Sequence, residues 1–450
     1  GTVKCIEDEI PFEIPEGWAW ERLSNLASFS GGKTPSTSHS EYWDGDILWV
    51  TSKDMKSKYI TSSQLCLSAL GAEQMRIHQP NTLLLVTRSG ILRHTLPVAI
   101  LKESATINQD LKAIVLYMPQ LAEYIYVCLK GMEARLLLKY TKSGTTVENV
   151  NFDDFQKVLL PIPPAQQIDR IISSTGDAEC IVSTVEDNKV ALADCVAKAK
   201  AKILDLAIRG KLVPQDPNDK PASVLLDRIR AEKEELIKQG KIKRDKKESV
   251  IFKGDDNSYY LRTGGVEESL EDWRFDDLPE TWKICCLWEL CDYGDCINVN
   301  TEDIAEDAWI LDLEDIEKDT GTVLKKVTKA QRNSVSTKHK FHSGQVLYSK
   351  LRPYLNKVVL SDADGYCTSE ILPLEFKNCV LPEYARYYLM SGTFIAYANH
   401  CSYGVKMPRL GTTAGEKAIF SLPPLSEQKR IVETIDFCFR QLNKISEALA

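Results

Sequence analysis

The chain has 450 residues, 43% of them hydrophobic and 27% charged, and a formal net charge of −8 at pH 7. That length suits two to four domains rather than one small core. The acidic balance excludes a uniformly basic nucleic-acid coat and leaves room for a local basic patch. No apolar run approaches the ~18–20 residues of a membrane helix, and no basic-then-apolar signal segment stands at the start. The 13 cysteines show no C-x-x-C spacing. They read as reduced thiols in a cytoplasmic protein, with Cys291 and Cys296 as buried thiols and no metal site. His339 and His342 read as exposed loop residues.

In chain order, Ile14-Pro-Glu-Gly-Trp18 leads into a first strand and then Ser30–Ser36, S-G-G-K-T-P-S. Gly32-Lys33-Thr34 imitates the end of a phosphate-binding loop, G-x-x-x-x-G-K-[ST]. The first glycine of that loop falls on Ala27, however, and Pro35 disfavours the helix that Lys-Thr would open. The stretch therefore reads as an exposed turn with a basic tip, and nucleotide hydrolysis through Lys33-Thr34 is the least supported reading. Short β-rich runs follow at 46–50, 82–86 and 112–117, then a helical stretch at 121–140 and a double proline, Pro163-Pro164. The double proline reads as a rigid hinge.

From the hinge, apolar residues recur at spacings of three and four: Ile168, Ile171, Ala178, Val182, Val185, Leu192, Val196, Ala199, Ile203 and Leu206. Only Thr175 and Lys189 interrupt this coiled-coil seam, and Gly210 ends it as a C-cap glycine. Such a rod is on the order of 60 Å long. A second amphipathic helix at 221–239 runs into the basic linker Lys241–Lys247.

The order then begins again. Leu278-Pro-Glu-Thr-Trp282 repeats the entry, Trp309-Ile310 repeats Trp49-Val50, and the acids Asp54 and Glu314 follow five positions after each Trp. Thr368-Ser-Glu-Ile371 weakly echoes Asn108-Gln-Asp-Leu111, and Gly404 echoes Gly144. Pro423-Pro424 and Arg430-Ile431 echo Pro163-Pro164 and Arg170-Ile171. A collinear series at a shift of about 260 residues means duplication. The seam also restarts, with Ile431, Ile435, Leu442 and Ile445, and stops mid-heptad at Ala450. The expected fold is α+β, with two duplicated mixed α/β domains separated by long helices that form an antiparallel coiled coil.

No paired carboxylates, nucleophile triad, amino-methyltransferase tetrad or metal-ligand cluster stands out. Two similar heads on a helical rod suit a ligand with two spaced sites, and DNA is such a ligand. Its phosphates need cations and its base edges need donors, acceptors and aromatic neighbours on loops. The first head offers Lys33, Thr34, Thr51, Ser52, Lys53, Arg88, Arg93, His94, Lys142, Ser143, Thr145 and Thr146. The second offers Lys350, Arg352, Tyr354, Lys357, Tyr403, Lys406 and Arg409. The competing reading is a coiled-coil scaffold that binds only protein.

Taken together, Ile14–Trp18, Gly31–Pro35, Tyr42-Trp43, Ile47–Val50, Val346–Lys350, Arg352–Tyr354, Gly210–Pro217 and Pro424–Ile431 resemble the specificity subunit of type I restriction–modification systems. The resemblance implies two target-recognition domains, at 1–163 and 273–423. A central conserved helical spacer would span 164–272, and a cut-short distal helix 424–450. It implies that each domain reads half of a bipartite DNA target, with no catalysis in this subunit. The helices would dock methyltransferase subunits, two of them, and restriction–translocase subunits would join. S-adenosylmethionine, ATP and Mg2+ would belong to those partners. The family often carries a helical segment like residues 199–247 ahead of its first domain, whereas here the chain opens a few residues before Pro15.

Overall fold

A computed structural model describes residues 6–142, 147–240, 249–256, 258–263, 265–270, 278–332 and 335–449. Ser143, Thr145, Thr146, the basic run Lys241–Lys247 and the boundary at 272–273 lie outside the described residues. The chain divides into two compact units, residues 1–186 and 187–450, and the division falls inside the helix Ala165–Ile208.

In the first unit the β-rich runs at 46–50, 82–86 and 112–117 fall on strands. Ala27–Gly31, Leu111–Leu116, Leu83–Val86, Val98–Leu101 and Tyr59–Ile60 form a five-stranded sheet in that order. Leu65–Leu67, Trp43–Val50 and Ala105–Ile107 form a second sheet of three, the last two strands parallel. Leu83, Leu84, Leu85 and Val86 are all fully buried, since they send side chains to both faces of a covered sheet. Helices Ala122–Gly131 and Glu133–Tyr140 pack Ile125, Leu129 and Leu136 onto one of those faces.

The second unit repeats this frame. Val346–Ser349 lies between Val358–Leu360 and Ile371–Leu374, and Trp309–Leu311 runs parallel to Gly365–Thr368. Helices Pro382–Leu389 and Gly392–His400 take the places of the first unit's pair. Tyr384 and Tyr388 donate their buried hydroxyls to the carbonyls of Ser421 and Ile419, as Tyr124 does to Pro161. His339 is a correction to the sequence reading. It lies buried in strand Lys338–Phe341 with Nδ1 2.8 Å from the Ile371 carbonyl, and burial pushes its pKa down. The run Ser336-Thr-Lys-His-Lys340 is polar throughout, so a strand buried by its tertiary neighbours reads as a loop.

The region 164–272 is not helical throughout. Helix Ala222–Lys238 buries Ala222 and Leu226 in the second unit's core, with Pro221 as its N-cap residue. After it, Ser249–Lys253, Tyr259–Thr263 and Val266–Ser269 make an antiparallel three-stranded sheet. That sheet packs Leu261 and Leu270 against Cys286 and Ile419. The short runs of β-branched, aromatic and aliphatic residues at 250–252 and 259–261 are the strand signal.

The long helix Ala165–Ile208 contacts apolar neighbours near each of its ends. In the first unit Ile168, Ile171 and Ile172 pack on the head's core. In the second, Val196, Leu204, Ala207 and Ile208 are buried, and Ile203 packs beside Ile431, Val432 and Ile435 of helix Leu425–Leu449. Ser421 Oγ donates to the Ile208 carbonyl at 2.8 Å, whereas Lys200 Nζ reaches Asn443 Oδ1 at 2.6 Å. The two helices therefore run antiparallel. Ala178, Val182, Val185 and Leu192 are exposed, as are Ile445 and the side chains around it.

Each head is clamped to the helix that follows it by its entry tryptophan. Trp18 Nε1 donates to Gln167 Oε1 at 3.1 Å, and Trp282 Nε1 donates to Glu427 Oε2 at 2.9 Å. Glu427 is fully buried. Burial raises its pKa above the usual carboxylate range, against the pull of its donors Trp282 and Gln215 and of nearby Arg430. A carboxyl that binds its proton more tightly when folded contributes full stability below its unfolded pKa. The contribution is lost as pH rises through the folded value. Glu427→Gln copies the first head's clamp and removes that loss. In thermal melts its stability relative to the parent should rise as pH climbs above the unfolded carboxylate value and level off beyond the folded one; a pH-independent difference would show that Glu427 does not titrate there.

Candidate nucleic-acid interface

Both heads build their exposed loop edge with the same main-chain hydrogen bonds. In the first, Thr87 N–H donates to the Asp110 carbonyl at 2.8 Å, Val150 N–H to Thr87 at 2.9 Å, and Ser89 N–H to Glu148 at 3.2 Å. In the second, Lys350 N–H donates to Glu370 at 3.0 Å, Leu410 N–H to Lys350 at 3.0 Å, and Arg352 N–H to Pro408 at 2.7 Å. Every atom pair is matched at an offset of about 260 residues, so the duplication extends to the loops and not only to the core. In each head three segments converge: a loop leaving a central strand, a turn near residue 109 or 369, and a loop ahead of the last strand.

The turn Asn108–Asp110 gathers the first head's candidates. Lys33 N–H donates to the Ile107 carbonyl at 3.1 Å, and the Thr34 hydroxyl bonds Gln109 Oε1. Asn108 N–H donates to Val50 at 3.0 Å, which brings Thr51, Ser52 and Lys53 alongside. Arg88 pairs with Asn149 in an isolated antiparallel bridge. Lys33, Thr34, Lys53, Arg88, Arg93, His94 and Lys142 are exposed. Gly32 makes this convergence possible: a Cβ there would sit 2.0 Å from the Ile107 carbonyl oxygen and 2.2 Å from that of Asn108. No helix begins at Lys33-Thr34, so the phosphate-loop reading lacks the helix N-terminus it requires.

Some candidates already have partners. Thr51 donates both its N–H and its hydroxyl to Asp54 Oδ2, each at 2.8 Å. Arg93 Nε lies 2.5 Å from Glu148, and that hydrogen bond holds the Glu148 carboxyl below its usual range. In the second head Arg409 forks onto Glu370 at 2.8–3.0 Å, tying the closing loop to the central turn. Lys357 Nζ donates to the Leu313 carbonyl at 2.6 Å, and partial burial lowers its pKa. Arg93, Arg409 and Lys357 therefore brace the loops. Lys350, Arg352, Tyr354, Tyr403 and Lys406 share the same edge, with Tyr354, Tyr403 and Lys406 exposed.

The sequence reading missed the turn itself. Asn108, Gln109, Ser369 and Glu370 were visible only as a weak echo between the copies. It also misregistered one repeat. Trp49 pairs with Thr106, whereas it is Ile310 that takes the matching place opposite Tyr366. The acid matching Asp54 is Asp315, which caps Asp312 as Asp54 caps Thr51. Because side chains alternate along a strand, this one-residue slip puts Trp49 and Trp309 on opposite faces. Leu48 and Val50 share one core cluster and Trp309 and Leu311 its counterpart, while Trp49 packs on Leu67 and Ala72.

Among the described residues no group of His, Cys, Asp or Glu is arranged to hold a metal ion. Burial pushes the Cys286 thiol up to about 12, and Cys285 and Cys291 are also buried with raised pKa values. No helix among these residues is long and apolar enough to cross a membrane.

The fold and this twice-built edge define a class: a duplicated α/β protein with one similar loop surface per head, the heads followed by helices that pair antiparallel. The family model for the type I restriction modification DNA specificity domain matches residues 15–178 and 279–449, and the chain belongs to that family. It is 28% identical over 171 residues to the EcoR124I/EcoR124II specificity subunit of Escherichia coli, 37% of this chain and 42% of that protein. It is 29% identical over 164 residues to the MjaIX specificity subunit of Methanocaldococcus jannaschii, 35% of this chain and 37% of that protein. The chain thus spans less than half the length of these two relatives. Against the EcoAI specificity subunit of Escherichia coli it is 24% identical, over 98% of this chain and 80% of that protein. A solved chain from work on complex assembly and conformational transition of the type I R-M system shares the fold, with a TM-score of 0.60 at 15% identity. That match covers 98% of this chain and 94% of the other.

Proposed function

We propose that this chain is the non-catalytic, DNA-reading subunit of a cytoplasmic type I restriction–modification complex. Each head reads one half of a bipartite duplex target, and the paired helices carry two methyltransferase subunits, to which restriction–translocase subunits are added. S-adenosylmethionine, ATP and Mg2+ act in those partners. The observation that carries the reading is the identical hydrogen-bonded loop edge at offset positions in both heads. Two copies of one scaffold with different exposed side chains are what two different half-sites call for. Lys33 and Arg88 on one edge, and Lys350, Arg352 and Lys406 on the other, supply local positive charge in an acidic chain. A protein-only scaffold would leave those edges without a ligand.

Methylome sequencing of a host expressing this subunit with its methyltransferase should yield a split motif with a fixed gap. A contiguous motif, or no motif, would overturn the proposal. Lys33→Ala should weaken binding of the reconstituted complex about equally across target sequences and lower the log–log salt slope by about one. A changed sequence preference would instead place Lys33 on a base edge.

A further inference from the structure

We propose that the tip of the second head's closing loop, Val405 to Pro408, is an apolar wedge that enters a base step of the second half-site and unstacks it. The inference rests on the DNA-reading function proposed above and assigns a specific action to one loop. Val405 is completely exposed, and Tyr403, Met407 and Tyr354 are 64%, 45% and 47% exposed. These side chains gather on two adjoining loops that the Arg352 N–H to Pro408 carbonyl hydrogen bond ties together.

The tip is held rather than loose. Tyr403 and Arg409 exchange both main-chain hydrogen bonds, at 3.1 and 2.9 Å, closing a hairpin around residues 404–408. Arg352 N–H holds the Pro408 carbonyl, and its guanidinium reaches the Lys406 carbonyl at 3.5 Å. Arg409 spans from the Met407 carbonyl to the Glu370 carboxylate. Arg352 and Asn356 both adopt left-handed backbone conformations, at φ 50° and 49°. Such strain in residues other than glycine persists only where the surroundings impose it, and it concentrates where a loop must present side chains in one geometry.

Charge identifies the occupant. The two adjoining segments, 350–357 and 402–410, contain Lys350, Arg352, Lys357, Lys406 and Arg409 and no carboxylate, within a chain of net charge −8. Glu370, the carboxylate that touches them, is neutralised by Arg409. A polyanion is therefore drawn to a rigid loop whose leading side chains are aliphatic. Val405 and Met407 have no strong donor or acceptor with which to read a base edge. They gain by leaving water, and a base step opened beside flanking cations is the apolar space a duplex provides.

The test uses the reconstituted complex with its methyltransferase and target duplexes carrying 2-aminopurine at successive positions of the second half-site. The base that the methyltransferase modifies is left out, because methyltransferases extrude their target base from the duplex. One step should brighten several-fold on binding. The double variant Val405→Ser, Met407→Ser should bind about tenfold more weakly and abolish the brightening. Probes in the first half-site should respond alike with parent and variant. Binding without brightening at any second-half position, or brightening that survives the double substitution, overturns the wedge alone. Failure of the parent complex to bind any split duplex overturns the DNA-reading function and the wedge with it.

Discussion

Gly32→Ala should destabilise the first head by about 3 kcal/mol or more, whereas Gly31→Ala, one residue earlier, should cost little. The two glycines look equivalent in the sequence. A Cβ on Gly32 would lie 2.0–2.4 Å from the carbonyl atoms of Ile107 and Asn108, which are main chain and cannot rotate away. Overpacking against backbone forces a shift of the strand end and costs at the top of the range for inserted methyl groups. The shift would also break the Lys33 N–H bond to Ile107 and the Thr34 contact with Gln109. The nearest atom to a Cβ on Gly31 is Lys112 Nζ, at 2.9 Å, the far end of a flexible side chain. At roughly 2–4 °C per kcal/mol for a unit of this size, Gly32→Ala should lower the first unit's melting temperature by about 10 °C. Hydrogen exchange in strands 27–31 and 111–116 should report the same loss. Equal behaviour of the two variants would show that the strand end yields freely.

The second large effect concerns the helical seam. Ile435→Ala should cost about 2–5 kcal/mol, because Ile435 is fully buried between Leu425–Leu449 and the second unit's core. Val185→Ala, at an equivalent place in the heptad pattern, should change stability by less than about 0.5 kcal/mol, since Val185 is 61% exposed. Urea unfolding of the full chain, followed in each unit, separates the two. A comparable cost at Val185 would mean that another surface covers the middle of the long helix in solution.

That contrast shows where the sequence stops. A repeat of three and four is a property of consecutive residues, so the helices, their length and their apolar stripe were all legible. Which part of the stripe is covered depends on a helix more than 200 positions away, and periodicity carries no such information. The duplication was legible for the same reason, since collinear echoes need no partner to be seen. Its register along the strand was not. Trp49 and Trp309 attract the eye as a pair, and only the ladder opposite Thr106 and Tyr366 shows them on opposite faces.

The interface divides in the same way. From residue type alone, Lys33, Arg88, Lys350, Arg352, Tyr354, Tyr403 and Lys406 were candidates for DNA contact, and the fold brings each group to one edge. Residue type could not tell a contact from a brace. Arg409 and Arg93 are spent on Glu370 and Glu148, which lie 39 and 55 positions away in the chain. Nor could it find the turns at 108–110 and 368–370, whose role comes from main-chain atoms that every residue possesses. By itself the sequence determined that this protein is a duplicated pair of α/β heads with coiled-coil helices, because local pattern and repetition are written along the chain. Only the tertiary structure decided which cations remain available to a ligand, which glycine is obligatory and where apolar side chains stand exposed. Those properties belong to distances between residues far apart in sequence.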